Sequence, residues 1–377
     1  MSGVRRLWLQ VHGVLGLLLG LPLVLMGLTG SVLVYYNEID RALNPSIRPL
    51  AVAHPPISLA QVQQSLWQAE PQRDGSWRVE LPLSHDAALT ARYYQPAQRQ
   101  GRFFAPLMLT LDPASLEVTS TRFWGDYGVT WIYDLHYTLL LGAPGRMAVG
   151  WLGVFMACSL LTGLWLWWPS RRRGWQALRP RVRSGSVRAC YDVHVIAGVY
   201  AGALLFVLAV TGTALAWPDT ARTLLQVPAP SSPALTASAA GQGQWRLGID
   251  EGVAWAQSLF PQAELRWVEL PPKGGSVLSV RLYQPQEPGR RFPKTRVIVD
   301  LREGRVLAVH DPLRQGVGSR IMDWMHPLHN GEAFGFVGRL LICLSGVLPL
   351  LLALTGWLRW YQKRRARLWV QRRRLEG

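Results

Sequence analysis

Cysteine is scarce in this chain, and it is missing where it would matter most. Of 3 cysteines in 377 residues, Cys158 and Cys343 fall inside apolar runs and Cys190 lies at the edge of another. The two long polar segments have none. That excludes a disulfide framework and leaves those segments to fold on packing alone. No Cys-x-x-Cys-His occurs, which excludes the usual covalent attachment of a c-type heme. No strand pattern leads into Gly-x-Gly-x-x-Gly, and the basic loop at 169–190 is too short for a nucleotide domain. Neither polar segment carries an evident Ser-His-Asp or Cys-His arrangement for nucleophilic chemistry. No small-residue cleavage site follows the first apolar run, so that run is expected to remain as an uncleaved helix.

Apolar sequence is what the chain has in quantity: 49% of its residues, with 18 Trp. Runs at 7–36, 147–168, 193–217 and 336–357 are long enough to cross ~30 Å of hydrocarbon, which takes ~20 helical residues. Trp8, Tyr35, Tyr36, Trp165, Trp167, Trp168, Trp217, Trp357 and Trp360 crowd their edges as an interfacial aromatic belt. The net charge of +17 is placed, not spread. Arg5 and Arg6 precede the first run; Arg171, Arg172, Arg173, Arg179, Arg181, Arg183 and Arg188 separate the second from the third. Arg359, Lys363, Arg364, Arg365, Arg367, Arg372, Arg373 and Arg374 follow the fourth. Basic short loops mark the cytoplasmic side, so these clusters read as topology signals and anionic-lipid contacts, with no nucleic-acid partner.

The expected localisation is therefore a bacterial inner membrane, with both termini cytoplasmic and the two long segments in the periplasm. The expected order is a transmembrane helix at 1–37, an outer domain at 38–133, a short outer helix with the second transmembrane helix at 134–168, and a cytoplasmic loop at 169–190. A third transmembrane helix at 191–217, a second outer domain at 218–325 with a linker at 227–244, an outer helix with the fourth transmembrane helix at 326–361, and a basic tail at 362–377 complete it. The outer segments read as α+β. Helical character at 58–68 and 249–260 precedes alternating stretches at 77–82 and 88–95 and a hairpin at 107–112 and 117–122, a layout the second segment repeats at 265–270, 276–284, 296–300 and 306–310.

The chain also repeats itself. Val11-His12, Gly16, Gly20 and Thr29-Gly30 recur 182 residues later as Val193-His194, Gly198, Gly202 and Thr211-Gly212. His136, Gly142, Gly145-Arg146 and Thr162-Gly163 recur 193 residues later as His329, Gly335, Gly338-Arg339 and Thr355-Gly356. Glu80-Leu81-Pro82 likewise matches Glu269-Leu270-Pro271. The fold class is thus a mainly α, four-helix transmembrane bundle with two α+β outer domains in tandem repeat. Parallel repeats of this kind pack about a pseudo-twofold axis along the membrane normal, which brings matched residues face to face.

Four of the 8 histidines form two matched pairs: His12 with His194 near the inner face, and His136 with His329 near the outer face. Two imidazoles from facing helices are how a bundle holds a b-type heme, and two pairs allow up to two hemes. Zinc fits less well, because no carboxylate or Cys lies at ligand spacing; a pH-sensing pair is a further alternative. His326 is a rival or accessory ligand to His329. Arg146 and Arg339 suit either heme propionates or headgroup anchoring, and the four glycines suit either close packing or room for a macrocycle. A continuous helix from His136 through 168 would be ~50 Å long, so a fold-back at Gly142-Ala143-Pro144-Gly145 is expected. His54, His85 and His310 have no matched partner and read as surface residues.

Val-His-Gly-Val-Leu-Gly at 11–16, Leu-His-Tyr-Thr-Leu-Leu-Leu-Gly at 135–142, Leu-Leu-Thr-Gly-Leu-Trp-Leu-Trp-Trp-Pro at 160–169 and Tyr-Asp-Val-His-Val-Ile-Ala-Gly at 191–198 resemble the PepSY-associated transmembrane family. The resemblance covers nearly the whole chain and is nearest to the FoxB-like siderophore reductases. It implies PepSY-like outer domains, b-type hemes and one-electron reduction of ferric siderophores outside the inner membrane, with release of Fe(II). The segment Asp323-Trp-Met-His326-Pro-Leu-His329 departs from the tidier first copy and leaves open which histidine ligates there. With no nucleotide site, the electrons would come from a quinol or a separate donor. Two other classes of function compete. One is a membrane-anchored module that binds peptides or regulates a protease, though an anchor needs no matched histidines within the bundle. The other is a siderophore or metal permease, for which four helices leave little pathway.

Overall fold

The computed structural model describes residues 3–49, 57–84, 87–94, 96–168, 186–228 and 244–376. His54, His85, most of the expected 169–190 loop and most of the expected 227–244 linker lie outside the described residues. The chain divides into two compact units: residues 1–35, 132–218 and 328–377 form one, and residues 36–131 and 219–327 the other.

In chain order the helices are α1 (Gly3–Val34), α2 (Tyr36–Leu43), α3 (Leu59–Ala69), α4 (Gly128–Thr138), α5 (Gly142–Trp167), α6 (Ser186–Ala216), α7 (Pro218–Leu224), α8 (Ile249–Ser258), α9 (Val317–Asn330), α10 (Gly335–Ser345) and α11 (Leu348–Glu376). The first unit is a helical bundle. Four segments in it are long and apolar enough to cross a membrane: α1, α5, α6 and the combined α10–α11. Their outward faces stay apolar and exposed, as at Leu18, Leu21, Trp151, Phe155, Tyr200, Leu341 and Leu344, which is the surface lipid requires. α1 packs on α5 and α11, and α6 packs on the same two, so α1 and α6 stand diagonally. The seams are lined by small residues. A Cβ on Gly27 would lie 2.5 Å from the Gly346 carbonyl oxygen, and one on Gly153 would lie 2.3 Å from Thr213 Oγ1; only glycine lets those backbones approach. Pro349, with no N–H for the preceding turn, opens α11 just after the α10 end at Gly346.

The fold-back before the second span is real but sits earlier than expected. It lies at Leu139 and Leu140, both left-handed, with φ of 51° and 60°. Gly142, Ala143, Pro144 and Gly145 instead form the first turn of α5. The reason is local: a first helical turn has no N–H acceptors to lose, so Pro144 opens a helix there without penalty. Gly145 is held tight against the end of α4, where a Cβ would meet the Thr138 carbonyl oxygen at 1.6 Å.

The second unit holds eight strands: β1 (Trp77–Glu80), β2 (Leu89–Tyr93), β3 (Leu107–Leu111), β4 (Val118–Phe123), β5 (Glu264–Glu269), β6 (Val277–Tyr283), β7 (Thr295–Asp300) and β8 (Arg305–His310). Each falls within two residues of its expected position. Their arrangement differs from the expected pair of separate domains. All eight form one antiparallel sheet in the order β4-β3-β2-β1-β5-β6-β7-β8. The join is β1 on β5, with Arg78 opposite Glu269, Val79 opposite Val268 and Glu80 opposite Trp267. Each four-stranded half alone would leave that strand as an open edge, and pairing the two removes both edges. α3 and α8 cover one face over a single core that includes Trp77, Val79, Leu109, Val268, Leu278 and Val299. Asp250 of α8 accepts from Ser58 Oγ at 2.6 Å and from the Leu59 N–H at 2.7 Å, so one half caps the helix of the other.

Arginines line the opposite face at the join. Glu269 pairs with Arg78 at 2.6 Å and Arg296 at 3.4 Å. Burial alone would raise its pKa, but Arg78, Arg281 and Arg296 outweigh burial and hold it below its ordinary value of 4.5. A carboxylate depressed in the folded state contributes stability above its unfolded pKa and loses it as pH falls through the folded one. The thermal midpoint of this unit is therefore expected to drop as pH falls below about 4.5. Glu269→Gln should flatten that acid limb, and an unchanged pH profile by circular dichroism would reject the assignment.

Candidate functional site

The bundle brings together the two histidine pairs that the repeat aligns. His12 on α1 and His194 on α6 come from diagonal helices, and their ring centroids lie 6.3 Å apart at an interplanar angle of 78°. His136 on α4 and His329 on α9 lie 6.2 Å apart at 53°. The pairs belong to different levels of the bundle. His12 and Thr29, which contact different pairs, are 17 residues apart on α1, as are His194 and Thr211 on α6. At 1.5 Å per residue the levels are ~25 Å apart, most of a hydrocarbon core.

Each ring is held at Nδ1. His12 Nδ1 lies 3.1 Å from the Ser159 carbonyl oxygen and 3.2 Å from Thr162 Oγ1. His194 Nδ1 lies 2.9 Å from Thr355 Oγ1, His136 Nδ1 2.9 Å from Thr29 Oγ1, and His329 Nδ1 3.0 Å from Thr211 Oγ1. Among the described residues no hydrogen bond reaches Nε2 of any of the four. For the outer pair, which lies outside the spans, burial lowers the pKa of His136 to about 3, with His329 adding to the effect. Burial takes His329 to about 4. Both rings are thus neutral at pH 7 and keep a lone pair on one nitrogen, the form in which imidazole ligates a metal.

The geometry fits a metal between the rings. A metal–nitrogen bond of ~2.0 Å and about 1.1 Å more from nitrogen to ring centroid, on each side, place two axial imidazole centroids roughly 6.2 Å apart. Among the described residues no group of three or more His, Cys, Asp and Glu converges as a metal cage, and each level offers two facing imidazoles. Two neutral imidazoles on opposite sides match an iron whose other four positions a macrocycle fills.

The other expected residues are placed as follows. His326 packs edge-on against Phe292, 4.3 Å between centroids, and belongs to the sheet unit; the ring that meets His136 is His329. Arg146 donates to the Leu215 carbonyl at 3.1 Å and lies 5.1 Å from the Tyr137 ring. Arg339 donates to the Val34 carbonyl at 2.9 Å and lies 4.3 Å from the Tyr35 ring. Both cations thus cap the C-terminal carbonyls of a neighbouring span, where the helix dipole favours them. Gly16 and Gly202 are not packing contacts, since a Cβ on either meets nothing within 4 Å, whereas Gly20 faces Trp357 at 3.3 Å.

Two features were not read from the sequence as parts of the site. The threonines that hold Nδ1 were visible only as repeat-matched Thr-Gly pairs near span ends. Arg359, one of the basic residues that follow the fourth span, lies over the Tyr191 ring at 4.1 Å, three residues from His194 on α6.

Bundle and site together define a four-span membrane protein with two stacked bis-histidine levels and a sheet unit built from both interhelical segments. The chain belongs to the PepSY-associated TM region family, whose family model matches residues 9–363. No curated protein matches the chain.

Proposed function

We propose that this chain is an inner-membrane oxidoreductase that holds up to two b-type hemes and passes electrons outward to reduce ferric siderophores in the periplasm. The observation that carries the reading is the pair of facing imidazoles at each of two levels, 6.3 Å and 6.2 Å apart, with Nδ1 engaged and Nε2 left for a ligand. His12 and His194 would hold the inner group, and His136 and His329 the outer. Heme, when bound, supplies a one-electron carrier at each level. The chain's own part is to fix the ligands on separate helices, to keep the surroundings apolar, and to set the levels far enough apart to cover the membrane. Arg359 is the cation suited to a propionate on the inner side. On the outer side Arg146 and Arg339 are already engaged with helix ends. The orientation, with termini and basic loops cytoplasmic and the sheet unit periplasmic, is supported by the distribution of basic residues.

Reduction is sufficient to release the metal. Hard oxygen donors hold Fe(III) far more tightly than the softer, less charged Fe(II), so one electron loosens the chelate without any bond of the organic ligand breaking. The siderophore as substrate is supported by the resemblance of the chain to siderophore reductases, and the donor is a quinol or a separate protein. The purified protein is expected to show the visible bands of low-spin b-type heme. Reduced chemically and mixed anaerobically with a ferric siderophore, its hemes should reoxidise as an Fe(II) trap colours. Hemes that stay reduced across several siderophore classes would reject the substrate, and a colourless protein would reject the cofactor.

A further inference from the structure

We infer that Thr29, Thr162, Thr211 and Thr355 are positioning residues that lock all four axial histidines in the Nδ1–H tautomer and tune the iron through that hydrogen bond. This rests on the heme reading above. The argument turns on one proton. A threonine hydroxyl has a single hydrogen to donate. In each of these four a backbone carbonyl, which can only accept, lies nearer the hydroxyl than the ring nitrogen does, and takes the proton: Thr29 to the Leu25 carbonyl at 2.7 Å, Thr211 to Val207 at 2.7 Å, Thr355 to Leu351 at 2.7 Å, and Thr162 to Ser159 at 2.9 Å. The oxygen that faces Nδ1 can then only accept, and at His12 the Ser159 carbonyl oxygen, 3.1 Å from Nδ1, accepts beside it. The bond is satisfied only if Nδ1 carries the hydrogen, which leaves the lone pair on Nε2.

Back-bonding of a helical threonine to its own helix is common and structural by itself. Three observations take these four beyond that. Each sits on a different helix from the histidine it serves, so the contact ties separate helices together. Each is followed by a glycine that cradles the same ring. A Cβ on Gly30 would lie 3.2 Å from His136 Cε1, on Gly163 3.0 Å from His12 Cε1, on Gly212 3.0 Å from His329 Cε1, and on Gly356 3.5 Å from His194 Cε1. The arrangement also recurs at all four ligands, two per level. A Thr-Gly pair is therefore a two-atom-wide seat: the hydroxyl takes the Nδ1–H, and the bare backbone leaves space for the Cε1 edge.

The choice of acceptor has an electronic consequence. A partner on the distal N–H raises ligand basicity and favours Fe(III), and a carboxylate does so more than a neutral hydroxyl. Threonine thus orients the ring while leaving the iron easier to reduce than an Asp or Glu in that place would. Loss of the hydroxyl should shift the midpoint of the affected level to a more positive potential and weaken heme retention about 10-fold to 100-fold.

The test is a redox titration of the purified full-length holoprotein carrying Thr→Val and Thr→Ser replacements. Thr29→Val or Thr211→Val should move the midpoint of one heme only, and Thr355→Val the midpoint of the other; Thr162→Val should move that second midpoint less, because the Ser159 carbonyl stays on His12 Nδ1. Thr29→Ser and Thr355→Ser should restore wild-type values, which a purely packing role for the methyl group would not give. Where a valine variant does not accumulate, the same titration on Thr355→Ala, which only removes atoms, decides the matter. Full heme content with both midpoints unchanged in the valine or alanine variants would overturn the inference while leaving the heme reading intact. Wild-type protein without heme would overturn both.

Discussion

His12→Ala is expected to remove one of two hemes and leave the other with an unaltered spectrum. On the heme reading, the inner level offers two imidazoles, and among the described residues no cluster of three or more His, Cys, Asp and Glu adds to them, so the variant would keep one histidine to hold the group. His194→Ala should give the same loss, and the double variant no more than either single one, because the two residues act as a unit. His136→Ala and His329→Ala should behave likewise at the outer level. Heme per chain measured as the pyridine complex should fall from two to one in every single variant and to none when one histidine of each pair is replaced. His326→Ala should keep both hemes, since its ring packs on Phe292. Full heme content after His136 and His329 are both replaced would end the assignment of the outer level.

Separating the levels by function gives the second large effect. In proteoliposomes with a reductant sealed inside, the wild-type chain should deliver electrons to a ferric siderophore outside. His12→Ala should lower that rate by more than about 100-fold. Loss of a hydrogen-bond partner behind a ligand alone reaches about that scale at metal sites, and here a ligand of the proposed inner heme is itself removed. The same variant, reduced from outside, should still pass electrons to the siderophore, because its outer pair is intact. Equal impairment from both sides would mean that His12 supports folding rather than a distinct inner carrier. An unimpaired rate from inside would mean that electrons do not pass through the inner level.

Much of this organisation is legible in the residues because it rests on local rules. A span shows as a run of apolar residues with aromatic edges, since the bilayer sets its length and its composition. A half-buried strand shows as alternation, since side chains on a pleat alternate, as at Trp77–Glu80 and Leu89–Tyr93; β3 is buried throughout and shows instead as an apolar run before a turn. The pairing of His12 with His194 and of His136 with His329 is legible because a tandem repeat converts equal sequence position into equal place about an axis. The fold-back before α5 was displaced by three residues for a local reason as well. Pro144 is as suited to the first turn of a helix as to a turn outside it, and only the approach of Gly145 to Thr138 selects between them.

The order of residues was enough to mark the four spans, the eight strands and the two matched histidine pairs that the bundle brings face to face. Only the tertiary structure decided that the two outer segments share one sheet, that His329 and not His326 meets His136, and that a threonine from another helix holds each ring. These are properties of contact between residues far apart in the chain. The β1–β5 join depends on which edges find each other, and hydrogen-bond direction depends on where one hydroxyl proton goes. Neither leaves a periodic trace in the order of residues.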